Sequence, residues 1–240
     1  MSTKNKTPQL SIVLPVFNEE KNIPRVVNEF LKISKEADIE VIFVEDGGSK
    51  DNTRGVIQEL SKKYSFVKFL FTGEPGYGIS LYNGLKIARG EFIGWTHSDL
   101  QTPPEDTLKA LRIIKDHKHP KKTFVKGKRY GRPLADKLVN SIGMSVFETM
   151  MLGKLMYDIN AQPNIFHRSF LKFLTNPPKD FAFDLYVYYI AKHHKYKVIR
   201  FPVHFGKRIF GESAWNTGWK ARAKFIKRTI KFTRELKKKL

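Results

Sequence analysis

Apolar runs and helical periodicities alternate along the first half of the chain. The runs LSIVLPVF (10–17), IEVIFVED (39–46), SFVKFLF (65–71) and EFIGW (91–95) read as strands. Helical spacing runs from Glu20 to about Lys35 and again from about Asn52 to Lys63, with Asp51 placed to cap the second helix. GYGISLYNGLKIARG (76–90) reads as a loop entering a helix that stops at Gly90. A Pro-Pro pair followed by acidic residues (103–106) opens another. Strands that are apolar throughout, rather than alternating, and that are separated by helices predict a mostly parallel sheet buried on both faces. Beyond Lys118 the order is less regular. A strand and turn (122–131), a helix (134–152), a loop with a short strand (156–168), a helix (181–194), a strand (197–205), a Gly-interrupted loop (206–216) and a terminal helix (from 218) follow.

In parallel sheets, ligands collect beyond the carboxyl ends of the strands. The polar clusters of this sequence fall there. Asn18 and Glu19 follow the first run, Glu45 and Asp46 the second, Gly73–Gly78 the third and His97–Gln101 the fourth. His97, Asp99 and Gln101 alternate, and alternation at a strand end aims several side chains into one crevice. A carboxylate with neutral nitrogen and oxygen partners suits a hard divalent ion, Mg²⁺ or Mn²⁺, that takes its other ligands from phosphate and water. The plain alternative is a polar strand-to-helix turn with Ser98 or Asp99 as cap. VEDGGSKDNT (44–53) suits the hydroxyls and amides of a nucleoside better than phosphate, or serves as a helix cap with turn glycines. GEPGYG (73–78) lacks the spacing of a phosphate-binding loop, so close packing of a turn explains it more simply. Arg129 and Arg208 follow predicted strands and carry the bidentate geometry that phosphate prefers.

Composition adds one strong constraint. In 240 residues, Lys+Arg 44 against Asp+Glu 23 leaves a net charge of +21, which calls for an anionic partner. Nucleic acid fits the charge, yet the acidic strand ends would repel a phosphate backbone. Without cysteine, disulfides and cysteine-ligated zinc are excluded. A hydrophobic fraction of 41% is enough for a packed core, while no apolar run approaches the roughly 18 residues of a spanning helix. Residues 218–240 hold ten Lys/Arg and one Glu, with Trp219, Ala223, Ile226, Ile230 and Thr233 at helical spacing. A basic helix of this type suits an anionic membrane interface, or packs its apolar stripe on the domain and leaves the charges to solvent.

Taken in order, LPVFNEE, VEDGGSKDNT, GYGISLYNGLKIARGEFI, HSDLQTPPED, VKGKR and RIFGES resemble the successive blocks of family 2 inverting glycosyltransferases, most closely the polyprenyl-phosphate branch typified by dolichyl-phosphate mannose synthase. DINAQPNIFHRSFL (158–171) is similar to the segment before that branch's last helices. The resemblance implies a Rossmann-like A-type nucleotide-sugar transferase fold over residues 10–215, after a short tail (1–9) and before a basic helix (216–240). It implies transfer of one sugar, with inversion, from a GDP- or UDP-sugar to a polyprenyl phosphate at the cytoplasmic face of a membrane. Carried over, Pro15, Phe17 and Glu19 line the donor pocket, Val44 and Asp46 meet the base, and Ser98 joins them. His97, Asp99 and Gln101 take the place of the metal motif, and Arg129 and Arg208 that of the phosphate-binding arginines. Several positions depart from the pattern. His97 replaces an Asp, Glu45 replaces an Asp, Gly48 is an extra residue, and Ala214 replaces a Lys. Asp136 or Lys137 stands where another basic residue is expected, with Arg132 as its substitute. Two further readings stay open: a hydroxyl acceptor with Asp184 as general base, and a binding module without activity.

Overall fold

A computed structural model of the chain describes residues 7–131, 143–206, 208, 210 and 219–238, with side chains in the last stretch from 226 onward. The strands are β1 (Leu10–Val16), β2 (Ile39–Glu45), β3 (Val67–Phe71), β4 (Phe92–Trp95), β5 (Thr123–Tyr130), β6 (Asn164–His167) and β7 (Lys197–His204). The α-helices among the described residues are α1 (Ile23–Ile33), α2 (Thr53–Lys63), α3 (Tyr77–Ile87), α4 (Glu105–Asp116), α5 (Met144–Leu152), α6 (Phe183–His193) and α7 (Trp219–Lys238). The strands form one sheet in the order β3-β2-β1-β4-β6-β5-β7. β1, β2, β3 and β4 are mutually parallel, while β6 runs antiparallel to both β4 and β5. Two reversals restore direction, so β5, and β7 parallel to it, end on the same edge as β4. That edge carries the candidate chemistry.

The alternation of side chains along each strand divides the core in two. Leu10, Ile12, Leu14 and Val16 of β1 face the layer of α1, α2 and α4. Val13 faces the opposite layer with Ile42, Val44, Leu81, Leu85 and Trp95, where α3 and α6 pack. Helix α1 starts at Ile23, later than the periodicity suggests, because Pro24 has no N–H to donate and so fits the first turn. It buries Ile23, Val26, Val27, Phe30 and Ile33. Truncating Phe30 to Ala would cost about 3–5 kcal/mol. Asn52, rather than Asp51, occupies the capping position of α2, although the Asp51 carboxylate accepts the Thr53 N–H at 3.1 Å. The helix read over 134–152 is described from 144, and its earlier residues lie outside the described part of the chain.

The terminal helix α7 packs on the domain. Thr229, Thr233 and Leu236 are buried, and Phe232 meets the edge of Tyr186 at 6.4 Å. The Thr233 hydroxyl lies 2.8 and 2.7 Å from the two carboxyl oxygens of Glu148 on α5. Around these residues the apolar side of the helix is therefore spent inside the fold. Among the described residues no helix is long and apolar enough to cross one.

Candidate active site

Beyond β1, β2 and β3 the chain is sewn together by short polar side chains. Asn18, in a left-handed conformation (φ 54), accepts from Lys50 N at 2.7 Å, and its own N–H donates to Ser49 at 3.1 Å. The Glu19 N–H donates to Thr53 Oγ1 at 2.8 Å, and the Glu20 N–H to Asp51 at 3.2 Å. Glu45 is fully buried. Burial would push its carboxyl up, but the Ser49 N–H and the Arg54 guanidinium outweigh that and hold it below the ordinary carboxylate range. Asp46 accepts Gly48 N–H at 3.1 Å and Gly76 N–H at 3.0 Å, which ties the third cluster to the second. Gly76 needs its glycine, because its φ is +147. The extra residue Gly48 fits because it carries no side chain: a Cβ there would stand 3.0 Å from the Phe17 ring.

The sheet order reverses between β1 and β4, and there the Ser98 hydroxyl donates to the Pro15 carbonyl at 3.1 Å. Asp99 follows, 3% exposed, with one carboxylate oxygen accepting the Gln101 N–H at 3.0 Å. Its other oxygen receives Arg208 Nη2 at 2.9 Å and Nε at 3.2 Å. Arg208 also reaches Glu19 at 3.5 Å. This arginine is 109 positions from Asp99 in the chain, and two contacts bring it there. Gln101 and Gly206 exchange hydrogen bonds (Nε2 to carbonyl at 3.1 Å, N–H to carbonyl at 2.8 Å), and Arg25 stacks on Phe210 at 4.9 Å. Burial raises the Glu19 carboxyl against the opposing pull of Asn22 and Arg208. Asp99, Glu19 and Arg208 thus form one charged group with two carboxylates at the mouth of the crevice.

His97 stands at the centre of this edge. Burial depresses its basicity, and the charges of Asp99, Asp184, Arg129 and Arg208 all act on its ring. Behind it lies a second group. Asp184, at the start of α6 and 3% exposed, accepts the Trp95 indole N–H at 3.1 Å and is hydrogen-bonded by Tyr77. Burial raises its carboxyl against the pull of Lys126. Lys126 is fully buried in β5, donates to Ala161 O at 2.6 Å and Asn164 Oδ1 at 2.8 Å, and is pushed down to about 7 by burial. Arg129 points to Asp158: Nε and the backbone N–H each donate at 2.8 Å, and Arg200 lies 3.7 Å from the same carboxylate. Burial would raise Asp158, but the two guanidinium groups hold it low.

The fold therefore gathers Pro15, Glu19, His97, Ser98, Asp99, Gln101 and Arg208 on one edge, with Arg129 alongside on its own carboxylate. Phe17 is half-exposed at the same edge. The Val44 side chain, expected at the base, packs beneath α3, where a Cβ on Gly84 would stand 2.8 Å from it. Gln101 donates its side-chain N–H to the Gly206 carbonyl, so its amide oxygen, the atom a hard ion takes, remains a donor beside Asp99 in the expected metal triad. Among the described residues, no group of three or more His, Cys, Asp or Glu is placed to hold a metal by itself. Arg132, Asp136, Lys137 and Ala214 lie outside the described residues. Sequence reasoning missed Asp158, Lys126 and Arg200. The available signal was a lone Lys within an otherwise apolar buried run, TFVKG.

The family model described as Glycosyl transferase family 2 matches residues 11–175. The chain belongs to that family. It is 28% identical over 120 residues to the undecaprenyl-phosphate 4-deoxy-4-formamido-L-arabinose transferase of Proteus mirabilis. That match spans 48% of this chain and 36% of the relative's length, so the chain covers about a third of it. Among solved structures, glucosyl-3-phosphoglycerate synthase of Mycobacterium tuberculosis in complex with UDP superposes with a TM-score of 0.68 at 16% identity, covering 90% of this chain and 76% of that one. The mannosyltransferase of Pyrobaculum calidifontis, in complex with GDP-Man and Mn²⁺, gives 0.63 at 19% identity, over 88% and 60%. These likenesses establish a shared glycosyltransferase fold, a mostly parallel sheet flanked by helices.

Proposed function

We propose that this chain transfers one sugar, with inversion, from a GDP- or UDP-sugar to a polyprenyl phosphate at the cytoplasmic membrane face. The observation that carries the reading is the Asp99–Arg208 pair at the switch point of the sheet, with Glu19 beside it. The relative's printed substrate, undecaprenyl phosphate, supports the acceptor class, and the two neighbours' UDP and GDP-Man support the donor class. A single buried carboxylate suits Mg²⁺ or Mn²⁺, since such ions complete their shells with phosphate oxygens and water. Asp99 would hold the ion, with His97 and Gln101 at its margins. Bound there, the ion would neutralise charge on the departing diphosphate.

The protein's own part is electrostatic. Arg208 now sits on carboxylate oxygens, and a diphosphate offers the same bidentate acceptor geometry with more charge. Arg129, held in one orientation by Asp158, is a second fixed cation near the same edge. Donors aimed in advance at developing charge contribute most of the acceleration in many enzymes. A phosphate monoester is largely ionised at neutral pH, so the acceptor needs no base. Transfer from a panel of UDP- and GDP-sugars into extracted polyprenyl phosphate tests the reading directly, and the absence of transfer from every donor sinks it.

A hydroxyl acceptor is the second reading, favoured by the raised carboxyl of Asp184 behind His97. Asp184→Asn separates the two. Transfer that survives supports the phosphate acceptor, whereas its loss with donor binding intact supports a base.

A further inference from the structure

Three of the most exposed large apolar side chains of the described chain lie close together in sequence. Met150 is 76% exposed, Leu155 71% and Val146 53%. Val146 and Met150 are four residues apart on α5, so they share one face, opposite buried Glu148. Leu155 follows the left-handed Gly153 that ends the helix. A shallow groove of about 380 Å³ beside them is lined by Met150, Met151, Tyr189 and Lys237 of α7. Positive charge flanks the apolar positions: Lys154 directly precedes Leu155, and Lys237 lines the groove with Met150. The pattern is an apolar ridge with lysines around it. Water gains nothing from such a ridge, and an anionic lipid surface satisfies both parts at once.

One hydrogen bond joins the helix of the ridge to the site. Ser145, in the first turn of α5, accepts the Asp158 N–H at 3.2 Å, and Asp158 holds Arg129. We infer that Val146, Met150 and Leu155, flanked by Lys154 and Lys237, form the face that docks on an anionic bilayer and sets the phosphate-binding arginines at lipid headgroup level. The inference rests on the lipid-phosphate reading. It adds a membrane-contacting element beside α7, whose Thr233 and Leu236 are buried on the domain.

The test is co-sedimentation of the full chain with vesicles of phosphatidylcholine, with and without phosphatidylglycerol. Binding should require the anionic lipid and fall at least tenfold in Met150→Ser/Leu155→Ser. Lys154→Glu/Lys237→Glu should weaken it several-fold, more so at low salt. Binding of UDP or GDP should not change in either variant, which also shows that both remain folded. A Met150→Ser/Leu155→Ser chain that sediments like the parent overturns the docking face. So does a parent that is dimeric in solution and becomes monomeric in that variant, since the ridge would then belong to a second copy. In detergent, with no bilayer present, parent and variant should transfer equally. Failure of both there counts against the lipid-phosphate reading alone.

Discussion

The two halves of the crevice hold their carboxylates in different ways. At the ends of β1 and β2, Asp46 and Asp51 accept backbone N–H groups from loops near them in space, and Glu45 joins the Ser49 N–H to the half-exposed Arg54 guanidinium. At the ends of β4 and β5, Asp99 and Asp158 each accept a backbone N–H as well, but the guanidinium groups of Arg208 and Arg129 pair with their charge. A backbone stitch cannot be exchanged for a ligand without unravelling its loop. A carboxylate–guanidinium pair can open, because a phosphate oxygen replaces the carboxylate oxygen without loss of hydrogen bonds. On the proposed reading, the first half is scaffold that shapes the donor pocket, and the second is machinery that meets charge.

Substitutions on the two sides should separate accordingly. The largest effect is expected at Asp99→Ala: loss of transfer by about a hundredfold or more with the fold retained, measured as kcat/KM beside thermal unfolding. Unchanged activity would remove the pair from the machinery. Arg129→Ala should lower both activity and stability, since it strands most of the buried Asp158 charge; about 3–5 kcal/mol in denaturant unfolding is the expected size. Glu148→Gln tests a third kind of carboxyl, held only through the Thr233 hydroxyl among its described contacts. Burial raises it from 4.5 to about 7. A raised carboxyl stabilises the fold below its unfolded value, and that contribution is lost as pH rises through about 7. The parent's unfolding temperature should therefore fall over that window, and the Gln variant should flatten the profile by about 2–3 kcal/mol. The smallest effect belongs to the scaffold: Asp51→Ala should cost about 1 kcal/mol of stability and leave kcat near that of the parent. A hundredfold activity loss there would erase the distinction between the halves.

Much of the fold was legible along the chain. Each of the first four strands and the helices between them lies where the apolar runs and helical spacing place it, since an element's period depends on its own residues. The expectation that polar clusters meet at the strand ends followed from the same pattern. Asp99 and Arg208 could be picked out, but not as partners: 109 positions separate them, and β6 must run antiparallel to turn β5 and β7 back toward the edge of β4. Asp158 sat unremarked in DINAQPNIFHR because nothing local marks an acid that will neutralise an arginine 29 residues earlier. The basic helix shows the same limit. Its amphipathic period was plain, yet a period does not say whether water, lipid or protein meets the apolar side.

Local periodicity and composition thus determined the elements, the polarity of the strand ends and the excess of positive charge. Only the tertiary structure decided which charges are paired, and that Thr233 and Phe232 of α7 pack against Glu148 and Tyr186. The reason is physical: backbone propensity and side-chain period act within a few residues, whereas the energy of a charge depends on whatever the fold brings within a few ångströms of it.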